Sequence, residues 1–350
     1  MTQNLIIIGD THFGIRNNSM TWLKHQVDAF EEILRYIEES MLDYDKTIVV
    51  HMGDLFDSRS AINPMVYKKV NLLLHKLNSI LGTRILNHKG RAYFIGGNHD
   101  YYYPWASKQN TSGINMLPEY DNIHYVTGTN GLDWWNTQNL VFIPWFSFHN
   151  PTILGNIISK QSEPAILFTH TDPFHMDSGL RKLIQGHTLV TGHIHQPSVD
   201  IDNNLLVTGA FCPTDFTDTN SDRGFWSLEL SSDRNVPLDG LVFHPIESSI
   251  HFHTIGEADL NNPDFLDDNN IHQDDYVEVQ LRASAVDTYK DILRFLNDNF
   301  NTNVSYISES IGVGTEFTEI LNVDTVCRKM LPDRLKGIYQ KMIDTYNKKE

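Results

Sequence analysis

Five short apolar runs punctuate the chain: Leu5–Ile8, Thr47–Val50, Ala92–Ile95, Ala165–Phe168 and Thr188–Val190. Each is brief and uncharged, the pattern of a strand buried on both faces. Between the first two, Val27, Phe30, Leu34, Ile37 and Met41 recur at helical spacing, which predicts an amphipathic helix. A second helix is predicted from Asn63-Pro64 onward, with Val66, Val70, Leu73, Leu74 and Leu77 turned inward. Strand and helix in alternation specify an α/β fold whose sheet faces are covered by helices. Further strands are expected at Leu140–Ile143, Leu205–Val207, Phe225–Leu230 and Leu241–Phe243.

The pattern changes at Gly256. From there to Leu281 the chain carries eight acidic residues and no Lys or Arg, which reads as a solvated linker over 256–275. Beyond it, a strand at Tyr276–Leu281, a helix at Val286–Asn299 and a strand at Val304–Ile307 suggest a small α+β unit over 276–314. The segment 315–350 reads as an amphipathic helical tail broken at Pro332. Residues 328–350 reverse the linker's charge, with seven Lys or Arg against three acids.

Composition narrows the class without naming the chemistry. At 350 residues, 40% hydrophobic and 20% charged, the chain fits one large domain plus an accessory piece, not a disordered or fibrous protein. No apolar run approaches the ~18 residues that cross a bilayer, and Met1–Asp10 lacks the basic start of a signal peptide. Two separated cysteines, Cys212 and Cys327, exclude a disulfide scaffold and point to a reducing, cytoplasmic setting. A net charge of −17 argues against coating nucleic acid by bulk charge, but not against a local or metal-borne positive field.

The chemistry sits where the apolar runs stop. They are followed in turn by Gly9-Asp10-Thr11-His12, Gly53-Asp54-Leu55-Phe56-Asp57, Gly96-Gly97-Asn98-His99-Asp100, Thr169-His170 and Gly192-His193-Ile194-His195. Ligand sites of α/β sheets gather at the carboxyl ends of strands, so these clusters are expected to meet in one cleft. In extended chain Asp10 and His12 share a side, as do His193 and His195. Carboxylate, imidazole and carboxamide without thiolate suit manganese, iron or zinc better than calcium. Any one cluster alone is ordinary: a Gly-Asp is commonly a turn, a His-x-His commonly a surface pair. Five in order at strand ends are not.

This series resembles the calcineurin-like metallophosphoesterase superfamily. Leu55-Phe56-Asp57-Ser58-Arg59, Ile143-Pro144-Trp145 and Arg223-Gly224-Phe225-Trp226 resemble in particular its SbcD-type double-strand-break repair nucleases. The chain's short length and these runs are most similar to the recombination endonuclease subunits of large tailed phages. The likeness spans roughly residues 1–250. It implies a layered sandwich of two central sheets flanked by helices, and two metal ions, Mn2+ by preference with Mg2+, Fe2+ or Zn2+ as alternatives. It gives one metal to Asp10, His12, Asp54 and His195, and the other to Asp54, Asn98, His170 and His193. It makes His99 the catalytic histidine, oriented by Asp100. One departure is Asp57, where some relatives carry a phosphate-contacting histidine.

The same resemblance implies DNA as substrate, with 3′→5′ exonuclease action on duplex ends and endonuclease action on single strands. It implies residues 1–255 as nuclease domain, 276–314 as a DNA-capping domain and 315–350 as the dock for an SbcC-type coiled-coil ATPase. It further implies a homodimer through the helix of residues 64–81, and no membrane association. From the residues themselves, Arg16 and Arg59 are candidates for phosphate contact. Tyr101, heading Tyr101-Tyr102-Tyr103-Pro104-Trp105, is a candidate for stacking on bases or for packing beneath its loop. A metallophosphatase or small-molecule phosphodiesterase with the same metal core is the alternative, since fold does not name a substrate. A non-catalytic scaffold is disfavoured because every ligand position and His99 are filled.

Overall fold

The computed structural model describes residues 3–40, 47–82, 91–102, 112–128, 135–137, 139–161, 164–214, 222–230, 238, 240–248, 250–269, 271–272 and 275–307. Strands β1 (Gln3–Ile8), β2 (Thr47–His51), β3 (Arg91–Ile95) and β4 (Ile123–Val126) lie side by side and parallel. The second sheet follows in the chain as β5 (Trp135–Thr137), β6 (Leu140–Phe142), β7 (Ile166–His170), β8 (Thr188–Gly192), β9 (Ser198–Asp200) and β10 (Leu205–Val207). Its order is β5-β6-β7-β8-β10-β9, parallel through its centre with antiparallel edges. The chain then returns to the first sheet, where β11 (Gly224–Leu230) pairs antiparallel with β1 and β12 (Val242–Pro245) closes the edge.

Alternation along β1 shows how the layers form. Leu5 and Ile7 face the second sheet, in a core shared with Tyr93, Phe142, Phe168 and Val190. Ile6 and Ile8 face the helices Met20–Ser40 and Pro64–Gly82, in a core with Phe30, Leu34, Val70 and Leu74. The outer face of the second sheet is covered by Pro151–Ile158 and Ser178–Leu183 through Leu154, Ile157 and Leu180. Helix, sheet, sheet, helix is the sandwich expected, with apolar side chains buried between the two inner faces. Tyr93 and Phe142 stack between the sheets with ring centroids 4.1 Å apart and an interplanar angle of 9°. The expected helical face of residues 27–41 is largely as read, with Phe30, Leu34 and Ile37 buried; Met41 lies outside the described residues.

A third, three-stranded sheet of order β13-β14-β15 is built from β13 (Phe252–Gly256), β14 (Tyr276–Arg282) and β15 (Asn301–Ile307). The helix Lys290–Asn299 runs between β14 and β15, so the strand–helix–strand reading describes what is observed. The solvated linker does not. Residues 256–275 include two short helices, Glu257–Leu260 and Phe265–Asp268, whose Leu260 and Phe265 join Ile271, Val277, Val279 and Leu281 in one core. Asp264, Asp267 and Asp268 are the exposed side of a folded segment and Asp275 is buried in it, an arrangement that a charge count cannot distinguish from a tether. The expected tail, residues 315–350, lies outside the described residues. No helix among the described residues is long and apolar enough to cross a membrane.

Candidate metal centre and its cleft

The five polar clusters meet at the carboxyl ends of β1, β2, β3, β7 and β8. Three of the turns that bring them together contain left-handed residues, the last at His193 with φ +80°. Gly53 has φ +108°, and a Cβ there would stand 2.6 Å from His170 Nδ1. Asp54 follows at φ +52° and His12 lies at +44°. A Cβ on Gly97 would stand 2.2 Å from Asp54 Oδ1, so backbone passes directly behind the central carboxylate.

Two donor groups converge side by side. Asp10, His12 and His195 each offer one atom within 4.8 Å of the others, and so do Asp54, His170 and His193. His12 Nε2 and His195 Nε2 are 3.1 Å apart, and Asp54 Oδ2 lies 3.7 Å from His12 Nε2 and 3.2 Å from His170 Nε2. Asp54 therefore touches both groups. Asn98 Oδ1 sits 2.8 Å from His170 Nε2 and 2.9 Å from His193 Nδ1, completing the second group with a neutral oxygen. His170 is aimed by its other nitrogen, whose N–H donates to the Met52 carbonyl at 3.0 Å. The backbone N–H of His193 donates to Asp10 Oδ2 at 2.9 Å.

The electrostatics fit divalent cations. Burial pushes Asp10 far above the usual carboxylate range, and the nearby charge of Asp54 adds to the effect. Burial likewise carries Asp100 up to about 8, again helped by Asp54. Burial lowers His12 to about 3 and His193 to about 4, so both imidazoles hold a free lone pair at neutral pH. Burial would also lower His170, but Asp54 and Asp10 carry it up to about 9. Buried carboxylates crowded together, with the lone pairs of His12 and His193 turned among them, are a donor set that suits divalent cations. His12 Nδ1 is buried without a hydrogen-bond partner among the described residues.

The cleft outside these donors encloses about 410 Å³ and is lined by His12, Asp54, Asn98, His99, His193 and His195, together with Ile15, Arg16, Asp57 and Thr214. His99 faces His12 edge-on, with centroids 4.9 Å apart. Its Nδ1 is held by the backbone carbonyl of Asp57 at 2.6 Å, and its own backbone N–H donates to Asp54 Oδ1 at 2.7 Å. Nδ1–H thus donates to a fixed acceptor and Nε2 is left for the cleft. The Asp57 carboxylate stands 3.6 Å from His12 Nδ1.

Two site expectations are corrected. Asp100 does not orient the His99 ring. Its buried carboxylate accepts the backbone N–H of Gly97 at 2.8 Å, of Leu55 at 3.1 Å and of Phe56 at 3.4 Å, pinning the two loops that carry Asp54 and His99. Tyr101 is not a stacking platform. It is 2% exposed, and its hydroxyl donates to the Thr127 carbonyl at 2.6 Å. Tyr102 is exposed, and residues 103–105 lie outside the described residues. Arg16 lines the cleft, whereas Arg59 is exposed and absent from its lining.

Sequence reasoning missed the supports. Gln26 donates its carboxamide N–H to the carbonyls of Thr11 at 2.7 Å and His12 at 2.9 Å, fixing the left-handed turn from inside a helix. A polar residue on the buried stripe of an amphipathic helix was the available signal. His51, stacked on Phe94 at 5.0 Å, bonds Thr11 Oγ1 at 3.0 Å. Thr214 Oγ1 lies 3.3 Å from His195 Nδ1, and no pattern marked it.

Residues 4–197 match the calcineurin-like phosphoesterase family. The chain belongs to that family. Its members work through a dinuclear metal centre, and the two donor groups described here are candidates for it. The chain is also similar to the DNA double-strand break repair protein Mre11 of Nanoarchaeum equitans (strain Kin4-M), with 24% identity over 324 residues, covering 85% of this chain and 82% of that protein. Family and site together make it a metal-dependent phosphoesterase.

Proposed function

We propose that this protein is a manganese-dependent DNA nuclease, the catalytic subunit of an SbcCD-type complex that processes DNA ends for recombination and repair. The observation that carries the reading is the shared Asp54 carboxylate between two adjacent donor groups at the floor of an open cleft. The likeness to a DNA double-strand break repair protein over most of both chains supports DNA as the diester.

One ion is assigned to Asp10, His12, Asp54 and His195, and the other to Asp54, Asn98, His170 and His193. Bound there, divalent cations supply Lewis-acid chemistry, polarising the phosphate and lowering the pKa of water toward neutrality. The chain's own residues do the rest. Asp54 ties ligand and catalyst together, because the carboxylate that spans both donor groups also fixes the His99 backbone. His99, with Nδ1–H committed to Asp57's carbonyl, presents Nε2 to the phosphate or to the departing sugar oxygen. As an imidazolium, protonated on both nitrogens, it would give the Nε2 proton to that oxygen and return to the neutral ring, a transfer worth roughly 10²–10⁴-fold. Met52's carbonyl and Asn98 hold His170 in register.

The domain reading accompanies this assignment, with a nuclease domain first and an ATPase-docking segment over 315–350. The DNA-capping unit begins at β13 instead of at 276, because Phe252–Gly256 pairs with β14 and Leu260, Phe265 and Ile271 share the third sheet's core. Homodimerisation through the helix Pro64–Gly82 is supported by Met65 and Leu72, exposed apolar residues on that helix, with exposed Met116 nearby through the Tyr67 hydroxyl.

The test is Mn2+-dependent cleavage of end-labelled linear duplex by wild type, His99→Ala and Asp54→Ala, with Mn2+ binding measured by calorimetry. Wild type should give a ladder from 3′ ends. His99→Ala should bind metal without cleaving, and Asp54→Ala should do neither. Turnover of bis-(p-nitrophenyl) phosphate with no DNA cleavage would favour a small-molecule phosphodiesterase, and equal metal loss in both variants would overturn the division of roles.

A further inference from the structure

Arg16 is the one Lys or Arg among the described residues that line the cleft. Every other charged or titratable group there is a carboxylate or a histidine, so a phosphodiester anion has a single permanent side-chain cation to meet. The backbone that presents it is unusual. Gly14 has φ +94°, and Arg16, Asn17 and Asn18 follow at +56°, +56° and +61°. Asn tolerates this region, whereas arginine adopts it only where the surroundings hold it. The turn is held by Ile15 N–H on the His12 carbonyl at 3.0 Å and Asn18 N–H on the Gly14 carbonyl at 2.9 Å.

The guanidinium is held from two sides. Its Nη2 donates to the Thr214 carbonyl at 2.9 Å, and its carbon lies 5.5 Å from the centroid of the Trp22 ring, within range of a cation–π contact. Thr214 also meets His195, so the arginine is braced against a donor of the metal centre. Trp22 is 3% exposed, and the two aromatic rings beside it belong to the third sheet. It stacks on Phe252 of β13 at 5.8 Å and lies 5.4 Å from the Tyr276 ring of β14, whose hydroxyl accepts its indole N–H at 2.9 Å. Ile15, the residue before the arginine, packs on the same Trp22, Ile250 and Phe252 cluster.

We propose that Arg16 binds a phosphate of the substrate strand at the cleft rim, and that Trp22, Phe252 and Tyr276 are positioning residues through which the third sheet sets where that arginine stands. The sheet then acts on substrate binding without contributing a residue to the metal centre. The phosphate's identity as DNA rests on the nuclease reading above; the aromatic link does not.

The experiment compares Arg16→Gln, Trp22→Phe and Tyr276→Phe, singly and with each aromatic change combined with Arg16→Gln, on a labelled single-stranded oligonucleotide and on bis-(p-nitrophenyl) phosphate. Arg16→Gln should raise KM about tenfold more than it lowers kcat, the scale of one lost hydrogen bond to a charged group. Tyr276→Phe removes one oxygen and keeps both rings. It should raise KM ~2–5-fold in the wild-type background and leave it unchanged beside Arg16→Gln, because residues acting through one group do not add. Trp22→Phe should behave alike; if it fails to fold, Tyr276→Phe decides alone. An unchanged KM in Arg16→Gln, or effects that add in full, overturn the proposal. Wild type that turns over only the small diester sinks the nuclease reading instead, and the same comparison on that substrate still decides Arg16.

Discussion

Asp100→Ala separates a structural clamp from a catalytic partner. In the structure the Asp100 carboxylate is 2% exposed and accepts three backbone N–H groups, none from His99's ring. Alanine leaves those donors buried with no acceptor. Counting only Gly97 and Leu55, the two within 3.1 Å, at ~1–3 kcal/mol for each unsatisfied group gives about 2–6 kcal/mol. For a chain of this size, at ~2 °C per kcal/mol, the metal-free protein should melt roughly 4–12 °C lower. The two loops also carry Asp54 and His99, so Mn2+ affinity by calorimetry should fall along with stability. Asparagine keeps one acceptor oxygen and should fall between. A catalytic orienter predicts something different: unchanged melting and metal affinity with a loss confined to kcat. A melting shift under about 2 °C with kcat sharply reduced would refute the clamp.

Other substitutions test neighbouring parts of the same geometry. Gly97→Ala places a Cβ 2.2 Å from Asp54 Oδ1 and should weaken Mn2+ binding at least ~10-fold at a cost of about 1–3 kcal/mol, read by calorimetry and thermal melting. Tyr101→Phe loses the bond to Thr127; it should cost about 1 kcal/mol and leave KM for an oligonucleotide unchanged, whereas a stacking role would raise it. Asp275 is buried, which opposes ionisation, yet the His253 ring and the N–H groups of His272 and His251 hold its pKa below 3.8. Its contribution is therefore present above pH 3.8 and lost as pH falls through the lower folded value. Melting of Asp275→Asn should lie below wild type at pH 6, and the gap should close toward pH 3.

The sandwich was legible because its strands are buried on both faces and therefore read as unbroken apolar runs. Leu5–Ile8 announces itself without help from any partner. Four strands escaped, among them Trp135–Thr137 and Phe252–Gly256. Two show why, since Ile123–Val126 is a short edge of the first sheet, with mixed burial, and Ser198–Asp200 is an exposed edge of the second. Neither carries a local pattern strong enough to stand above a loop. The folded segment after Gly256 failed for a related reason. Leu260, Phe265 and Ile271 are too sparse for any window to register, yet the third sheet gathers them into one core.

At the site, sequence order exposed the donors but not the hands that hold them. Asp10, His12, Asp54, Asn98, His170, His193 and His195 follow strand ends, and a strand end is a position readable along the chain. Their supports act across it. Gln26 holds the His12 turn from 14 residues away, Met52's carbonyl aims His170 from 118, and Tyr276 reaches Trp22 from 254. Asp100 shows the cost of inferring such a support from adjacency. Standing next to His99, it invites a histidine–carboxylate pair, but its side chain turns to the backbone of two loops while a main-chain carbonyl, invisible in any pattern of residue types, takes the imidazole. Which residues do chemistry is thus written locally, and how firmly they are held is written in contacts that only the closed fold supplies.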